Sequence, residues 1–255
     1  MIFNTHTHLN AKELEDTYDQ VIKESIKHGI TKFIVSGYNK ETNEKAIKLA
    51  ENYDCIYATV GWHPNEAIDA TEESFQLIEK YLTHPKVVAV GECGLDYFWD
   101  TPKDVQIRVF ERQIALAIKY NMPLLVHGRD SIQDIYDTLK ANGAEKVGGV
   151  MHCYNGTAEM VNDFTDLKFL ISLAGPVTWK EFAVPKEVAK MVPLDKLLVE
   201  TDCPYLAPEP FRDKENKPYY VKYILEEIAK IKEMDINELS SITYNNAMKV
   251  FRLDE

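Results

Sequence analysis

The feature that most constrains this chain is a regular alternation of short β-branched or aliphatic runs with longer segments of helical period. The alternation continues along the chain without a Ser-, Gly- or Pro-rich linker, which is typical of repeated βα units. Eight runs are predicted to be strands: Met1–Thr5, Lys32–Val35, Ile56–Val60, Val87–Val90, Leu124–Val126, Gly149–Met151, Phe169–Ser172 and Leu197–Val199. Eight such units in 255 residues predict a (β/α)8 TIM barrel that forms a single domain over residues 1–255. An open, doubly wound sheet fits the same alternation, so the pattern alone leaves both architectures open.

Two of the intervening segments have apolar residues at i, i+3, i+4 and i+7, which places them along one face of a helix. These residues are Ile132, Ile135, Tyr136 and Leu139 in one segment, and Val221, Ile224, Leu225 and Ile228 in the other. Each apolar face is predicted to pack against the sheet.

Composition and charge exclude several classes of protein. Hydrophobic residues make up 45% and charged residues 27% of the chain, which is typical of a globular protein and not of a disordered or coiled-coil one. Lys and Arg number 29 against 41 for Asp and Glu, and the resulting net charge of −12 disfavours a broad DNA-coating surface without excluding a local nucleic-acid site. No run approaches the roughly 18 to 20 apolar residues of a membrane span, and the first residues lack the organisation of a signal peptide. With four scattered cysteines, the expected setting is the reducing cytoplasm.

Five of the seven histidines fall where a predicted strand ends, and two carboxylates follow strands four and eight. The histidines are His6, His8, His63, His127 and His152, and the carboxylates are Glu92 and Asp202. Because the carboxyl ends of all barrel strands meet at one face, these side chains are expected to converge. The other two histidines, His28 before a glycine and His84 before a proline, are expected to be structural.

The residue types in this set indicate a metal centre. His6 and His8 are separated by one residue, so on a strand both imidazoles point to the same side and can reach one ion. Imidazole and carboxylate ligands without a CxxC motif suit zinc, manganese or a similar divalent ion. The set is too large for one tetrahedral ion, so two ions about 3.5–4 Å apart with one bridging carboxylate are predicted.

Other chemistries lack their signatures. The chain has no GxGxxG, GxxxxGK[ST] or GxSxG motif, which would indicate dinucleotide binding, a P-loop or a nucleophile elbow. Cys93, Cys153 and Cys203 each follow a proposed ligand directly, but adjacent residues on an extended chain point away from each other. Small buried packing residues are therefore the favoured interpretation of these cysteines over a nucleophile or thiolate ligand.

Several motifs together resemble the TatD-like metal-dependent deoxyribonucleases, a branch of the amidohydrolase-type TIM barrels. The resemblance runs nearly end to end through the segments 4–9, 61–64, 91–97, 126–129, 152–156 and 198–208, and the ending Asn245-Asn246-Ala247. It implies a barrel with a first metal ion held by His6, His8, Glu92 and Asp202, and a second held by Glu92, His127 and His152. Glu92 would bridge the ions, which are expected to be Zn, Mg or Mn. The resemblance also implies that His63 contacts the substrate or a metal-bound water.

Three positions depart from the family pattern. Asn4 stands where the family usually has Asp, Asn155 where Ser is usual, and Asp213 where glycine is common. None of the three is an implied metal ligand. Asn4 is expected to alter a hydrogen bond that orients a ligand histidine, while Asn155 and Asp213 are expected to affect substrate preference.

The leading hypothesis is two-metal hydrolysis of phosphodiester bonds in DNA. Two cations would polarise the phosphoryl group and lower the pKa of a bound water towards about 7, supplying an activated hydroxide. Asp202 would be ligand and acid/base, and Glu92 the bridging catalytic carboxylate. Arg129 would be a phosphate contact, although a rim salt bridge with Asp130 or another acid explains it equally well.

The expected partner of this site is DNA, as a single-stranded or frayed end captured by the metals and cleaved in the manner of an exonuclease. Aromatic residues after several predicted strands, at positions 62, 97–99, 154, 179 and 205, could stack on unpaired bases, although loop packing is favoured for most of them. No membrane contact and no obligate protein partner are predicted.

Two alternatives remain at this level. The same centre could hydrolyse an amide, lactone or ester of a small molecule, because motif spacing does not separate these reactions. The chain could also be a non-catalytic barrel that serves as an interaction module, although six intact ligand positions favour catalysis.

Overall fold

Within residues 1–253, which the computed structural model describes, eight parallel strands follow one another around the sheet in chain order. The strands are β1 (Ile2–Thr7), β2 (Ile30–Ser36), β3 (Ile56–Val60), β4 (Val87–Asp96), β5 (Leu124–Arg129), β6 (Gly149–Met151), β7 (Phe169–Leu173) and β8 (Leu197–Val199). A parallel bridge between Thr7 and Cys203, together with a 2.8 Å hydrogen bond from the His8 amide to the Cys203 carbonyl, joins β1 to the segment after β8. The sheet is therefore closed, and the TIM-barrel prediction is confirmed over the open sheet.

Helices surround the barrel. They are α1 (Tyr18–Lys27), α2 (Lys40–Asn52), α3 (Glu72–Tyr81), α4 (Lys103–Tyr120), α5 (Ile132–Ala141), α6 (Val161–Asp166), α7 (Ala183–Met191), α8 (Val221–Lys232) and α9 (Ile236–Val250). Ile135 and Leu139 of α5, like Ile224 and Ile228 of α8, are fully buried, so the two predicted apolar faces do pack inwards. None of the helices described is long and apolar enough to cross a membrane.

The interior of the barrel is apolar at the end where the strands begin. Side chains from several strands, among them Phe3 and Ile34, form a buried cluster with Met248 and Phe251. The rings of Phe3 and Phe251 lie 6.0 Å apart. The C-terminal helix α9 thus covers this end of the barrel, and polar side chains collect at the opposite end.

Three strands extend at least two residues beyond their predicted ends, and the first of them, β1, continues beyond Thr5 to Thr7. β4 continues beyond Val90 to Asp96, and β5 continues beyond Val126 to Arg129. Their register shifts between Val90 and Cys93 and is regular beyond that point, where Gly94 lies opposite His127 and Asp96 lies opposite Arg129. His6, Glu92 and His127 accordingly lie on strands and not after them. The apolar pattern stops early because the strand residues at the barrel mouth carry polar side chains.

Candidate metal centre

The six predicted ligands meet at the carboxyl ends of the strands. His6, Glu92 and His127 lie near the ends of β1, β4 and β5, while the other three lie in the loops directly after β1, β6 and β8. The ligand atoms form overlapping groups within 4.8 Å: His6, His152 and Asp202; His6, His8 and Glu92; and His63, Glu92 and His127. His28 and His84, predicted to be structural, lie away from this cluster. His28 faces the Glu24 carbonyl at 2.9 Å, and His84 faces Glu51 at 3.2 Å.

Two imidazoles and two carboxylates enclose the first position. His6 Nε2 lies 3.5 Å from Glu92 Oε2 and 3.4 Å from Asp202 Oδ1. The corresponding distances from His8 Nε2 are 3.4 and 3.3 Å, and the two Nε2 atoms lie 3.0 Å apart. Ligand atoms bound about 2.0–2.1 Å from one tetrahedral ion lie about 3.4 Å from each other. The spacing of these four atoms therefore fits a single divalent ion.

The second position uses the other oxygen of Glu92. Glu92 Oε1 lies 3.0 Å from His127 Nδ1 and 2.9 Å from His152 Nε2. The two imidazole nitrogens lie 3.2 Å from each other. Because Oε2 faces the first group and Oε1 the second, the Glu92 carboxylate stands between two ligand sets.

Carboxylates on the outer side of two imidazoles set their orientation. His127 Nε2 lies 3.0 Å from Asp96 Oδ2, and His152 Nδ1 lies 3.1 Å from Glu200 Oε1. When these nitrogens donate their protons outwards, the opposite ring nitrogens present lone pairs to the centre. Glu200 therefore orients His152.

Ser36, at the end of β2, sets the orientation of His6 and His8. Its carbonyl oxygen lies 3.3 Å from His8 Nδ1, and its hydroxyl lies 3.2 Å from His6 Nδ1. Both Nε2 atoms are thereby directed at the first position. All four ligand histidines thus have an oxygen partner on the ring nitrogen that faces away from the centre.

His63 differs from the other histidines of the cluster. Its Nδ1 accepts a hydrogen bond from the Asn65 backbone N–H at 3.1 Å, so in the neutral ring the proton resides on Nε2. Burial, followed by the charge of His127, lowers the pKa of His63 and favours that neutral ring. Nε2 lies 3.5 Å from Glu92 Oε1 and has a proton, not a lone pair, to offer there. The arrangement suits a hydrogen-bond donor better than a metal ligand.

The centre keeps its carboxylates ionised although it is buried. Burial opposes the charge of Glu92, but the surrounding imidazoles, His152 first, hold the pKa of its carboxyl well below its ordinary value. Burial opposes the charge of Asp202 in the same way, and the hydrogen bond with His8 outweighs it and lowers the pKa. For His152, burial favours the neutral ring, whereas Glu92 and Glu200 raise the pKa well above its usual value. Negative ligands are therefore in place before any cation binds.

Two buried glutamines one heptad apart on α4 hold the loops that carry these groups. Gln106 accepts a 2.7 Å hydrogen bond from the Asp96 N–H and donates to the carbonyls of Asp96 and Thr101 at 2.8 and 2.9 Å. Gln113 accepts from the Trp62 N–H at 2.7 Å and donates to the Trp62 carbonyl at 2.9 Å. Each glutamine thus fixes a backbone segment that leads to a residue of the centre, Asp96 or His63.

Arg129 lies at the rim of the centre, two residues beyond His127 on β5. Within residues 1–253 its guanidinium has no carboxylate within 4.0 Å, so the predicted alternative of a salt bridge with Asp130 is not formed. The guanidinium stacks instead over the ring of Phe98, with its central carbon 3.6 Å from the ring centroid. A stacked guanidinium keeps its N–H groups available for an anion.

Two cavities open from the centre. A cleft of about 270 Å³ lies directly over the ligands and is bordered by Tyr38, His63 and Tyr205. A larger cavity of about 670 Å³ adjoins Asp202 and His152 and is lined largely by apolar side chains, including Trp179, Val177 and Leu206. A polar group at the ligands can therefore sit beside a planar apolar group in the larger cavity.

The three departures from the family pattern have different surroundings. Asn4 donates to Thr201 Oγ1 at 2.8 Å and to the Pro218 carbonyl at 3.3 Å, so it ties β1 to the segments after β8 and orients no ligand histidine. That expectation is corrected: the side chain points outwards from β1. Asn155 donates to the Gly128 carbonyl at 2.5 Å, beside the larger cavity. Asp213 lies exposed on the loop after β8.

The cysteines adjacent to the ligands are packing residues. Cys93 and Cys203 are fully buried, and burial raises the pKa of the Cys203 thiol to about 12. Burial also raises the pKa of Cys153, whose backbone N–H donates to Glu200 at 2.8 Å. All four cysteines of the chain are free thiols. Neutral thiols are poor nucleophiles and poor metal ligands.

Known proteins are similar to this chain over nearly its whole length. The sequence model of the family described as TatD related DNase matches residues 3–252. The uncharacterized metal-dependent hydrolase YabD of Bacillus subtilis is 48% identical over 255 residues, which cover 100% of both chains. The 3'-5' ssDNA/RNA exonuclease TatD of Edwardsiella piscicida is 34% identical over 242 residues, 92% of this chain and 93% of its own. Among solved structures, YJJV, a TatD homolog from Escherichia coli K12, superposes with a TM-score of 0.94 at 26% identity, covering 99% of this chain and 98% of its own. The chain therefore resembles these proteins in both sequence and fold.

Proposed function

The chain belongs to the TatD related DNase family and is a metal-dependent hydrolase, and we propose that it cleaves phosphodiester bonds at single-stranded or frayed ends of DNA. The relative from Edwardsiella piscicida that is named an exonuclease supports this choice of substrate. The main support for the proposal is the position of the Glu92 carboxylate, because its two oxygens face two separate groups of ligand atoms. The cytoplasm is the proposed setting, because four free thiols fit a reducing compartment.

Charge balance supports two ions rather than one. Glu92 and Asp202 lie among the ligands, and Asp96 and Glu200 lie directly behind His127 and His152. Buried charges are costly unless opposite charge compensates them. Two divalent ions supply four positive charges against these four carboxylates, whereas one ion leaves two carboxylates uncompensated. Zinc or manganese suits the mixed imidazole and carboxylate ligands, with magnesium as the harder alternative.

Each residue of the centre has a defined task in this reaction. His6, His8, Glu92 and Asp202 would hold one ion, and Glu92, with the two histidines at positions 127 and 152, would hold the other. When bound, the ions supply positive charge to the phosphoryl oxygens and acidify water.

Asp202 is the proposed acid/base. Its Oδ1 faces His6 and His8, while Oδ2 has no hydrogen-bond partner within residues 1–253 and can accept a proton. Asp202 borders both the cleft and the larger cavity, so this oxygen can reach a substrate placed across them. The lowered pKa keeps the carboxylate ready to receive the proton at neutral pH.

His63 and Arg129 are the proposed substrate contacts. The proton on His63 Nε2 can be donated to a nonbridging phosphate oxygen in the cleft. The Arg129 guanidinium, held flat by Phe98, can bind a phosphate with two N–H groups. An unpaired nucleobase fits the apolar character of the larger cavity better than a paired one does.

The test offers protein loaded separately with Zn, Mn or Mg to single-stranded DNA, duplex DNA and bis(p-nitrophenyl) phosphate, and measures bound metal by elemental analysis. Glu92→Gln and Asp202→Asn are expected to lower turnover of single-stranded DNA by at least 100-fold. Asp195→Asn, which alters an exposed carboxylate just before β8 at the opposite end of the barrel, is the matched control and should retain wild-type turnover.

Equal turnover by Glu92→Gln and wild type would refute the mechanism. Faster turnover of amides or lactones than of DNA would assign the centre to small-molecule hydrolysis. Protein that retains no metal would point to an interaction module.

A further inference from the structure

An exposed aromatic pair lies at the mouth of the barrel, immediately after β4. The side chains of Phe98 and Trp99 are 54% and 53% exposed, although most large apolar side chains of the barrel are buried. Their rings meet edge to face, with centroids 5.0 Å apart and planes at 88°. Neither ring supplies a ligand to the metal centre, and neither is needed to fill the core.

The pair is attached rigidly to the metal centre. Asp96 Oδ1 accepts a 3.0 Å hydrogen bond from the Phe98 N–H, while Oδ2 of the same carboxylate faces His127. The Tyr97 N–H also donates to the Arg129 carbonyl at 2.9 Å. Arg129 lies two strand residues beyond His127, which is a distance of about 7 Å along β5. Because the Arg129 guanidinium stacks on the Phe98 ring, the aromatic pair lies at the rim of the centre.

Cations accompany the aromatic rings. Besides Arg129 over Phe98, Lys103 Nζ lies 3.8 Å from the centroid of Tyr97. Both cations line a cavity of about 580 Å³ on the outer side of β5. Two acids also border this cavity, but the Tyr97 hydroxyl donates to one of them, Asp134, at 2.7 Å. The other acid, Asp130, is exposed to solvent, where its charge is screened.

We propose that Phe98, Trp99 and Arg129 form a second nucleotide-binding site, which stacks an unpaired base of the strand whose neighbouring phosphate lies at the metal centre. The inference rests on the proposed function and deepens it, because it adds a nucleotide beyond the bond being cleaved. Exposed rings beside cations are the elements that bind single strands without regard to sequence, since every base has a π face. Inside a duplex, neighbouring bases cover both faces of each base, so the site selects single strands.

The consequence is a dependence on strand length. A single nucleotide occupies the centre alone, whereas a longer strand also reaches the rings of Phe98 and Trp99. Stacking of one base changes affinity by about 5- to 150-fold on aromatic truncation. Wild-type protein should therefore bind a thymidine decamer at least 10-fold more tightly than thymidine monophosphate.

The experiment measures binding by metal-loaded protein of a fluorescein-labelled phosphorothioate decamer of thymidine, which resists hydrolysis, and competition by thymidine monophosphate. Trp99→Leu keeps an apolar side chain but removes the ring, and should raise the Kd of the decamer at least five-fold. Trp99→Phe restores a ring and should recover most of that affinity. Met191→Ala is the control: it removes a side chain at the end of α7 that is 54% exposed, close to the 53% of Trp99, and it should leave the Kd of the decamer unchanged.

The outcomes separate this inference from the proposed function. If Trp99→Leu binds the decamer as tightly as wild type, or if wild type binds both ligands equally, the second site is refuted. If wild type shows the length dependence and Trp99→Leu loses it while no phosphodiester is hydrolysed, the second site stands and the proposed function fails. If DNA is hydrolysed with the same KM by wild type and Trp99→Leu, the proposed function stands and the second site fails.

Discussion

Gln106 is the most informative side chain outside the ligand set, because it tests whether α4 fixes the position of Asp96. Its amide makes three hydrogen bonds of 2.7 to 2.9 Å to the backbone of Asp96 and Thr101, and it is fully buried. Gln106→Leu keeps most of the side-chain volume but leaves these groups unpaired. Water can reach the half-buried Thr101 carbonyl, whereas Asp96 is only 2% exposed.

The loss of stability is set by the N–H and the carbonyl of Asp96, which lose their hydrogen-bond partner in this variant. An unsatisfied buried donor or acceptor costs about 1–3 kcal/mol, so Gln106→Leu should lower the free energy of unfolding by about 2–6 kcal/mol. For a chain of this size, the middle of that range lowers Tm by about 10 °C. Displacement of the Asp96 carboxylate should also weaken its contact with His127 and reduce metal affinity by about 10- to 100-fold.

The assay is differential scanning fluorimetry of metal-free protein, with isothermal titration calorimetry for the metal. Gln106→Glu keeps the acceptor for the Asp96 N–H but turns a carboxylate towards two carbonyl oxygens, so it should be at least as destabilised as Gln106→Leu. Gln76→Leu, at an exposed position within α3, is the control and should melt within about 2 °C of wild type. A Gln106→Leu protein that melts with wild type and binds metal equally would refute the reasoning.

Two further substitutions and one labelling experiment test the surroundings of the centre. Glu200→Gln should reduce metal affinity by about 10- to 100-fold in calorimetry, and unchanged affinity would contradict the orienting role of its carboxylate. Asn4→Asp places an oxygen against the Pro218 carbonyl, so it should lower the free energy of unfolding by about 2 kcal/mol. Urea denaturation of metal-free protein measures this change, and equal or greater stability of the variant would contradict the contact. Cys93 and Cys203 should resist Ellman's reagent at pH 8 in folded protein, because burial raises the pKa of both thiols. Rapid reaction of all four thiols of the chain without denaturant would contradict their burial.

The barrel could be predicted from the sequence because each strand is marked by a short apolar run between helical segments. Closure could not, since an open sheet has the same alternation, and the Thr7–Cys203 bridge depends on segments nearly two hundred residues apart. The ends of β4 and β5 were also predicted too early. There the strands enter the polar mouth. Glu92 lies in a register shift between Val90 and Cys93, and the regular pairing resumes beyond it and includes His127, although the apolar pattern has ended.

The ligand cluster could be predicted because its residue types fall at strand ends, which a barrel brings together. The groups behind it are harder to recognise. Asp96 carries a signal, since it lies four residues after Glu92 on one strand and so faces the same way. Ser36 and Gln106 carry none, because a serine at a strand end and a glutamine within a helix are ordinary residues. Their roles follow only from which backbone atoms they reach.

The acidity of the chain is compatible with a nucleic-acid substrate because charge at the barrel mouth is set locally. Without cations, four carboxylates around the ligand histidines oppose the approach of a phosphate. Two divalent ions change the formal net charge only from −12 to −12 + 4 = −8, yet all four added charges lie where the phosphate must sit. Beyond the ions, Arg129 and Lys103 lie beside the aromatic rings after β4. Few phosphates are then neutralised, so the affinity for DNA depends on a strand end that reaches the ions and on bases that are free to stack. An intact duplex offers neither.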